Sequence, residues 1–117
     1  MKRAYVAGAY RSPEGLWGIK KNIDIAGDLA VELWQAGFAV FCPHKNTAFF
    51  DGACPDDVWL AGDLEFLTVC HFAVMCPNWE SSEGAKAEKA FAGECGIPVY
   101  FSAAEAIEQE NSCEKPL

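Results

Sequence analysis

Four short apolar runs, each followed by a stretch of helical periodicity, constrain this chain more than any other feature. The runs are Ala4 to Gly8, Phe38 to Cys42, His71 to Cys76 and Ile97 to Phe101. Strands that alternate with helices pair in parallel, because a parallel partner is reached only through a crossover, and that crossover is usually a helix. The expected order is β-α-β-α-β-α-β-α. It forms an α/β domain over residues 1–110, with a four- or five-stranded parallel sheet and helices on both faces, followed by a polar tail over 111–117. Phe38 to Cys42 is continuously apolar, as in a strand buried on both faces. The intervening helices carry local signals. Asn22 can cap a helix to about Ala36, with Ile23, Ala26, Ala30, Leu33 and Trp34 at helical spacing and Gly37 as terminator. Asp56 or Asp57 can cap the next, with Val58, Ala61, Leu64 and Thr68 or Val69 along one side. Ser102 and Glu105 form a capping box for the last. Ala9 to Lys21 and Pro43 to Pro55 read as long loops, and loops of that length are usually functional or mobile.

The chain has 117 residues, half of them hydrophobic, which suffices for one core and not for two. A formal charge of −8 gives no electrostatic footprint for a nucleic-acid polymer or an anionic membrane. One small anion can still bind, because that depends on a local nest of N–H groups and one or two cations. None of the six cysteines forms a CxxC pair, and His44 and His71 are not at zinc-site spacings, so no metal is expected. Cys42, Cys70, Cys76 and Cys95 lie in apolar context as small hydrophobes. The first strand begins too early to leave room for a signal peptide, and no apolar run approaches membrane-spanning length. The expectation is a reduced, cytoplasmic protein; a disulfide-stapled secreted domain is the weaker alternative.

Chemistry concentrates in Asn78 to Glu88. This stretch leaves the third strand and opens a helix running to about Gly96. The first N–H groups of a helix lack intrahelical partners and its dipole is positive there, so a turn with small residues at that point can seat an anion. Ser81 or Ser82 can cap the helix, and Gly84 admits a ligand close to the backbone. Glu88 follows Ser82 by six residues, under two turns further in. The plain alternative is a capped surface helix with a solvated glutamate. Ligands of open parallel sheets bind beyond the carboxyl ends of the strands, where strand order switches. The loops at Gly8, His44 and Ser82 all leave such ends and can meet over one crevice.

Tyr5-Val6-Ala7-Gly8-Ala9-Tyr10-Arg11, Asp63-Leu64-Glu65, and Ser82-x-Gly84-x-x-x-Glu88 with Gly96-x-Pro98-Val99 together resemble the nucleoside 2-deoxyribosyltransferase-like superfamily. That superfamily includes the 2′-deoxynucleoside 5′-monophosphate N-glycosidases. The resemblance extends to about Phe101, and Pro43-His44-x-Asn46-Thr47 with Trp59 to Glu65 marks a short, uncharacterised branch. It implies a flavodoxin-like three-layer sandwich and cleavage of an N-glycosidic bond in a small nucleotide or nucleoside. By the same resemblance Glu88 is the nucleophile, Asp63 holds or protonates the leaving base, and Tyr5 orients Glu88. Arg11, Ser82 and Gly84 match phosphate-contacting positions. No cofactor is needed, and a homo-oligomer, dimer or higher, is implied. Serine at 82, where the transferases carry an acid, favours a ligand that is already anionic. Cys70-His71, and the loop from Pro43 to Pro55, depart from the pattern and leave base specificity open.

Each residue also has a structural alternative. Asp63 is equally readable as a solvated helix residue, Tyr5 as core, and Arg11 as half of a surface ion pair. Gly8, His44 and Trp79 are candidates for the substrate pocket, yet a satisfied structural histidine and a core tryptophan are the commoner outcomes. A non-catalytic module that senses or sequesters a nucleotide would keep Ser82, Gly84 and Arg11 without depending on Glu88.

Overall fold

The structure, a computed structural model, describes residues 1–112. Strands β1 (Arg3–Ala7), β2 (Ala39–Phe41), β3 (Phe72–Met75) and β4 (Val99–Tyr100) alternate with helices α1 (Leu16–Gln35), α2 (Pro43–Asn46), α3 (Asp56–Leu67), α4 (Glu83–Glu94) and α5 (Ala103–Ser112). All strand pairs are parallel, in the order β2-β1-β3-β4. The chain steps from β1 to β2 on one side and then crosses to β3 on the other. The switch in order therefore falls between β1 and β3, as in a flavodoxin-like sandwich.

Alternation along β1 sorts the core into two layers. Ala4 and Val6 join Phe72 and Val74 against Ala26, Leu29, Ala30 and Leu33 of α1 and Ala103 and Ala106 of α5. Tyr5 and Ala7 join Ala73 and Met75 against Leu67 of α3 and Ala85 and Ala92 of α4. Tyr5 is fully buried in the middle of the sheet, in register with Phe41 on one side and Ala73 on the other.

Several boundaries differ from the sequence expectations. Helix α1 begins at Leu16, not Asn22, after Gly15 turns the chain at φ 69°. Gly18 follows because Ser12 folds back onto it: a Cβ there would stand 1.9 Å from the Ser12 hydroxyl. Leu16 and Trp17 are thus exposed residues of a first helical turn, not parts of a loop. β2 is only half-buried, because it is the sheet's edge; its flanks Phe38 and Cys42 are the buried positions. The Pro43 to Pro55 segment is not wholly irregular, since Pro43 starts the short α2. In α3, Val58 is exposed and Leu67 is buried, because Trp59, Leu60 and Asp63 turn toward a cavity instead of a packed core, and the helix ends before Val69, which is exposed. Ser102 does cap α5: its hydroxyl accepts from the Glu105 N–H, while Glu105 accepts from the Phe101 N–H. Asn111 and Ser112, the first residues of the expected tail, are helical, and the rest of that stretch, with Cys113, lies outside the described residues. The five described cysteines are free. Among the described residues no helix is long and apolar enough to cross a membrane.

Candidate active site

A cavity of about 530 Å³ opens beyond the carboxyl ends of β1 and β3, walled by α3, the loop before it and the amino end of α4. It brings together Gly8, Arg11, His44, Asp63, Ser82, Gly84 and Glu88. Tyr5 lies beneath it in the core.

Glu88 is the centre of this arrangement. It sits in the second turn of α4, with 8% of its surface exposed. The Tyr5 hydroxyl donates to Glu88 Oε2. Among the described residues Oε1 has no protein partner, and the residue lines the cavity. Burial pushes the Glu88 carboxyl up to about 8; the Tyr5 hydrogen bond acts against that rise and the nearby Asp63 adds to it. Burial alone lifts Asp63 to about 6. Burial, and then the Glu88 charge, hold the Tyr5 phenol far above its ordinary value, so Tyr5 remains a neutral donor. Near neutral pH, Asp63 is therefore ionised while Glu88 keeps its proton. With Oε2 accepting from Tyr5, that proton belongs on Oε1.

The β1 end is held close to the β3 end. A Cβ on Gly8 would stand 2.6 Å from Cys76 Cβ and Sγ, so only glycine lets the two chains pass. The Ala9 N–H donates to Asn78 Oδ1 (3.1 Å), Asn78 Nδ2 to Asn22 Oδ1 (3.0 Å), and Asn22 Nδ2 to the Tyr10 carbonyl (3.0 Å). This relay shapes the loop after β1. Asn22 is a mid-helix residue serving that loop, not a cap. Sequence spacing carried no signal for the pairing of two asparagines so far apart.

His44 is buried, and its Nε2 donates to the Ala9 carbonyl at 2.8 Å. Burial lowers its pKa and keeps it neutral, which leaves Nδ1 as an acceptor with no partner among the described residues. At the rim, Arg11 is exposed and already paired, with Asp56 at 2.5 Å and Asp51 at 3.5 Å. The Tyr10 hydroxyl donates to Asp51 (2.6 Å) and accepts from the Phe49 N–H (2.8 Å). Tyr10, Asp51, Asp56 and Trp59 therefore belong to the cavity wall. In the sequence Tyr10 lay within the first of the motifs and Trp59 at the start of the branch marker, and nothing marked the two aspartates as partners of Arg11.

Ser82 caps α4, its Oγ accepting from the Ala85 N–H at 3.0 Å. At Gly84 the nearest protein atom to a Cβ is that same hydroxyl, 3.7 Å away, so protein packing does not require glycine there. Trp79 is not in the cavity. It belongs to a 3-10 turn, packs on the second core layer, and carries Phe101 and the Lys89 ammonium against its ring. Its expected role in the substrate pocket is thus corrected to packing. Among the described residues no group of His, Cys, Asp and Glu is placed to hold a metal ion.

Fold and site define a parallel α/β protein with a carboxyl-lined crevice at its strand switch point. Residues 2–101 match the family described as Domain of unknown function (DUF4406), and the chain belongs to that family. The match runs from β1 through β4, so it includes every residue of the cavity. No curated protein matches the chain.

Proposed function

We propose that the cavity binds a small nucleoside or nucleotide and cleaves its N-glycosidic bond through a glycosyl-enzyme on Glu88. The observation that carries this reading is the buried Glu88 carboxyl, held from below by Tyr5 and facing a cavity whose opposite wall bears Asp63. The resemblance noted in the sequence supports the same assignment. A carboxylate at C1′ stabilises the oxocarbenium-like transition state and then traps it, splitting one hard displacement into two. Asp63 faces the leaving base, as its acid or as a hydrogen-bond acceptor. Tyr5 fixes the Glu88 rotamer. Ser82, Gly84 and Arg11 receive the sugar's 5′ end, and Gly8 and His44 close the floor. Water or a second base accepts the glycosyl group. Free cysteines favour a reducing, cytoplasmic setting. Exposed Phe49, Phe50, Phe66 and Val69 favour self-association.

The test is incubation with a panel of nucleosides and their 5′-monophosphates, with chromatography for released base. Release that Glu88→Gln abolishes supports the reading. A second reading, a binding module without catalysis, is favoured by the burial that raises the Glu88 carboxyl to about 8. It prevails if wild type releases no base while Glu88→Ala still binds a panel member.

A further inference from the structure

The cavity's charge has a consequence for the ligand. Six carboxyl side chains line it: Asp51, Asp56, Asp57, Asp63, Glu83 and Glu88. Of these, Glu88 keeps its proton near neutral pH, Glu83 is paired with Lys86 at 3.6 Å, and Asp51 and Asp56 hold the one arginine of the lining. The lining still carries an excess of negative charge, with Asp57 and Asp63 in no ion pair among the described residues. No lysine lines the cavity. The amino end of α4, the natural seat for a phosphate, is partly occupied by its own Ser82 cap and flanked by Glu83. A phosphate monoester would enter against this field and find neither a free cation nor a full set of free N–H groups. Two aromatic side chains, Tyr10 and Trp59, also line the wall, and aromatic faces among carboxylates are how proteins hold organic cations.

A buried acceptor points the same way independently of the rim. His44 is more than nine-tenths buried and lines the cavity, and its Nδ1 has no protein partner among the described residues.

Building on the proposed glycosidic cleavage, we propose that the substrate is a cationic N-glycoside: a nucleoside, without a 5′-phosphate, whose base is a ring cation such as a pyridinium or an N7-alkylated purine. The chemistry balances without an acid. Glu88 forms a C–O bond to C1′ as the C1′–N bond breaks. The bonding pair goes to the ring nitrogen, which cancels the ring's charge, and the base leaves neutral. Water then attacks C1′, the ester C–O bond breaks to restore the Glu88 carboxylate, and the water's proton passes to Asp63 or to solvent. The ligand's charge also prepares the nucleophile. A cation beside Glu88 favours its ionised form, so binding drives the Oε1 proton out of the cavity.

Three matched ligands test this: nicotinamide riboside (cationic base), its dihydro form (neutral) and nicotinamide mononucleotide (with a 5′-phosphate), with guanosine and 7-methylguanosine as a second pair. Binding by calorimetry and base release are measured separately. The charge assignment expects the cation to bind about tenfold or more tightly than its neutral counterpart, with the monophosphate weaker than the riboside. It expects Asp57→Asn to narrow the gap and added salt to weaken the cation. It also expects cation binding at pH 7 to release protons in wild type and not in Glu88→Gln. Equal binding of cation and neutral form, or tighter binding of the monophosphate, overturns it. The two readings separate cleanly. Base release with no charge preference removes the cation and keeps the glycosidase; the charge order without any base release keeps the cation and removes the glycosidase.

Discussion

Replacing Glu88 by glutamine should stabilise the protein, and by an amount that depends on pH. A carboxyl raised to about 8 in the folded state, from an ordinary value near 4.5, binds a proton more tightly folded than unfolded. Below 4.5 both states are protonated and the group is neutral to stability. As pH rises through that value the unfolded chain ionises first, and folding must carry the proton or strand a buried charge. The penalty grows until the folded carboxyl itself ionises near 8 and is constant above that. Between pH 5 and pH 9 these limits correspond to about 4 kcal/mol. Glutamine keeps the shape and an oxygen to accept from Tyr5, and does not titrate. The stability advantage of Glu88→Gln over wild type should therefore widen by roughly 4 kcal/mol across that range, a relative Tm shift of roughly 15 °C. Denaturant melts of both proteins at pH 5, 7 and 9 measure it. A constant difference at all three would refute the burial argument, and with it the claim that this carboxyl is held in an environment adverse to its charge.

Tyr5→Phe removes the one contact that favours an ionised Glu88, so the carboxyl should rise further and the pH at which base release reaches half its maximum should move upward; an unchanged pH–rate profile would show that Tyr5 does not govern Glu88. On a neutral nucleoside, which needs a protonated Asp63 and an ionised Glu88 together, the rate should be bell-shaped around neutrality, whereas a cationic base needs only Glu88 ionised and its rate should rise to a plateau. Gly8→Ala forces a methyl onto Cys76 and should cost about 1–3 kcal/mol in a urea melt, with loss of ligand binding; a variant as stable as wild type would mean that the two strand ends can part freely. Glu110, buried at the far end of the sheet, accepts from Tyr100 and pairs with Lys2 at 3.2 Å. Glu110→Ala should cost about 1–3 kcal/mol by removing the buried carboxylate that Tyr100 and Lys2 share, and ligand affinity should not change.

Much of the layout was legible because it follows from local rules. Apolar runs of strand length between helical periods specify a parallel sheet, and Ser82 three residues before Ala85 is a cap by its chemistry. That Gly8, His44, Ser82 and Glu88 line one cavity also followed, since loops from the same ends of parallel strands converge. What escaped depends on contacts between distant residues. Asn22 had every mark of a cap, yet Ser12 folding over Gly18 starts the helix earlier and frees Asn22 to reach Asn78. Arg11 looked like an anion contact until Asp51 and Asp56 came beside it from another loop. Trp79 follows a strand as pocket residues do, but the 3-10 turn swings it onto Phe101. The side of α3 that faces inward could not be read from hydrophobicity, because a helix bordering an open cavity presents a polar residue there.

Tyr5 has two offices that rarely coincide: its ring is structural filler at the centre of the sheet, and its hydroxyl donates to Glu88. Phenylalanine would satisfy the first and abandon the second. Under the proposed cleavage, that one oxygen would change the pH range in which Glu88 is ionised while leaving the packing of the sheet as it is.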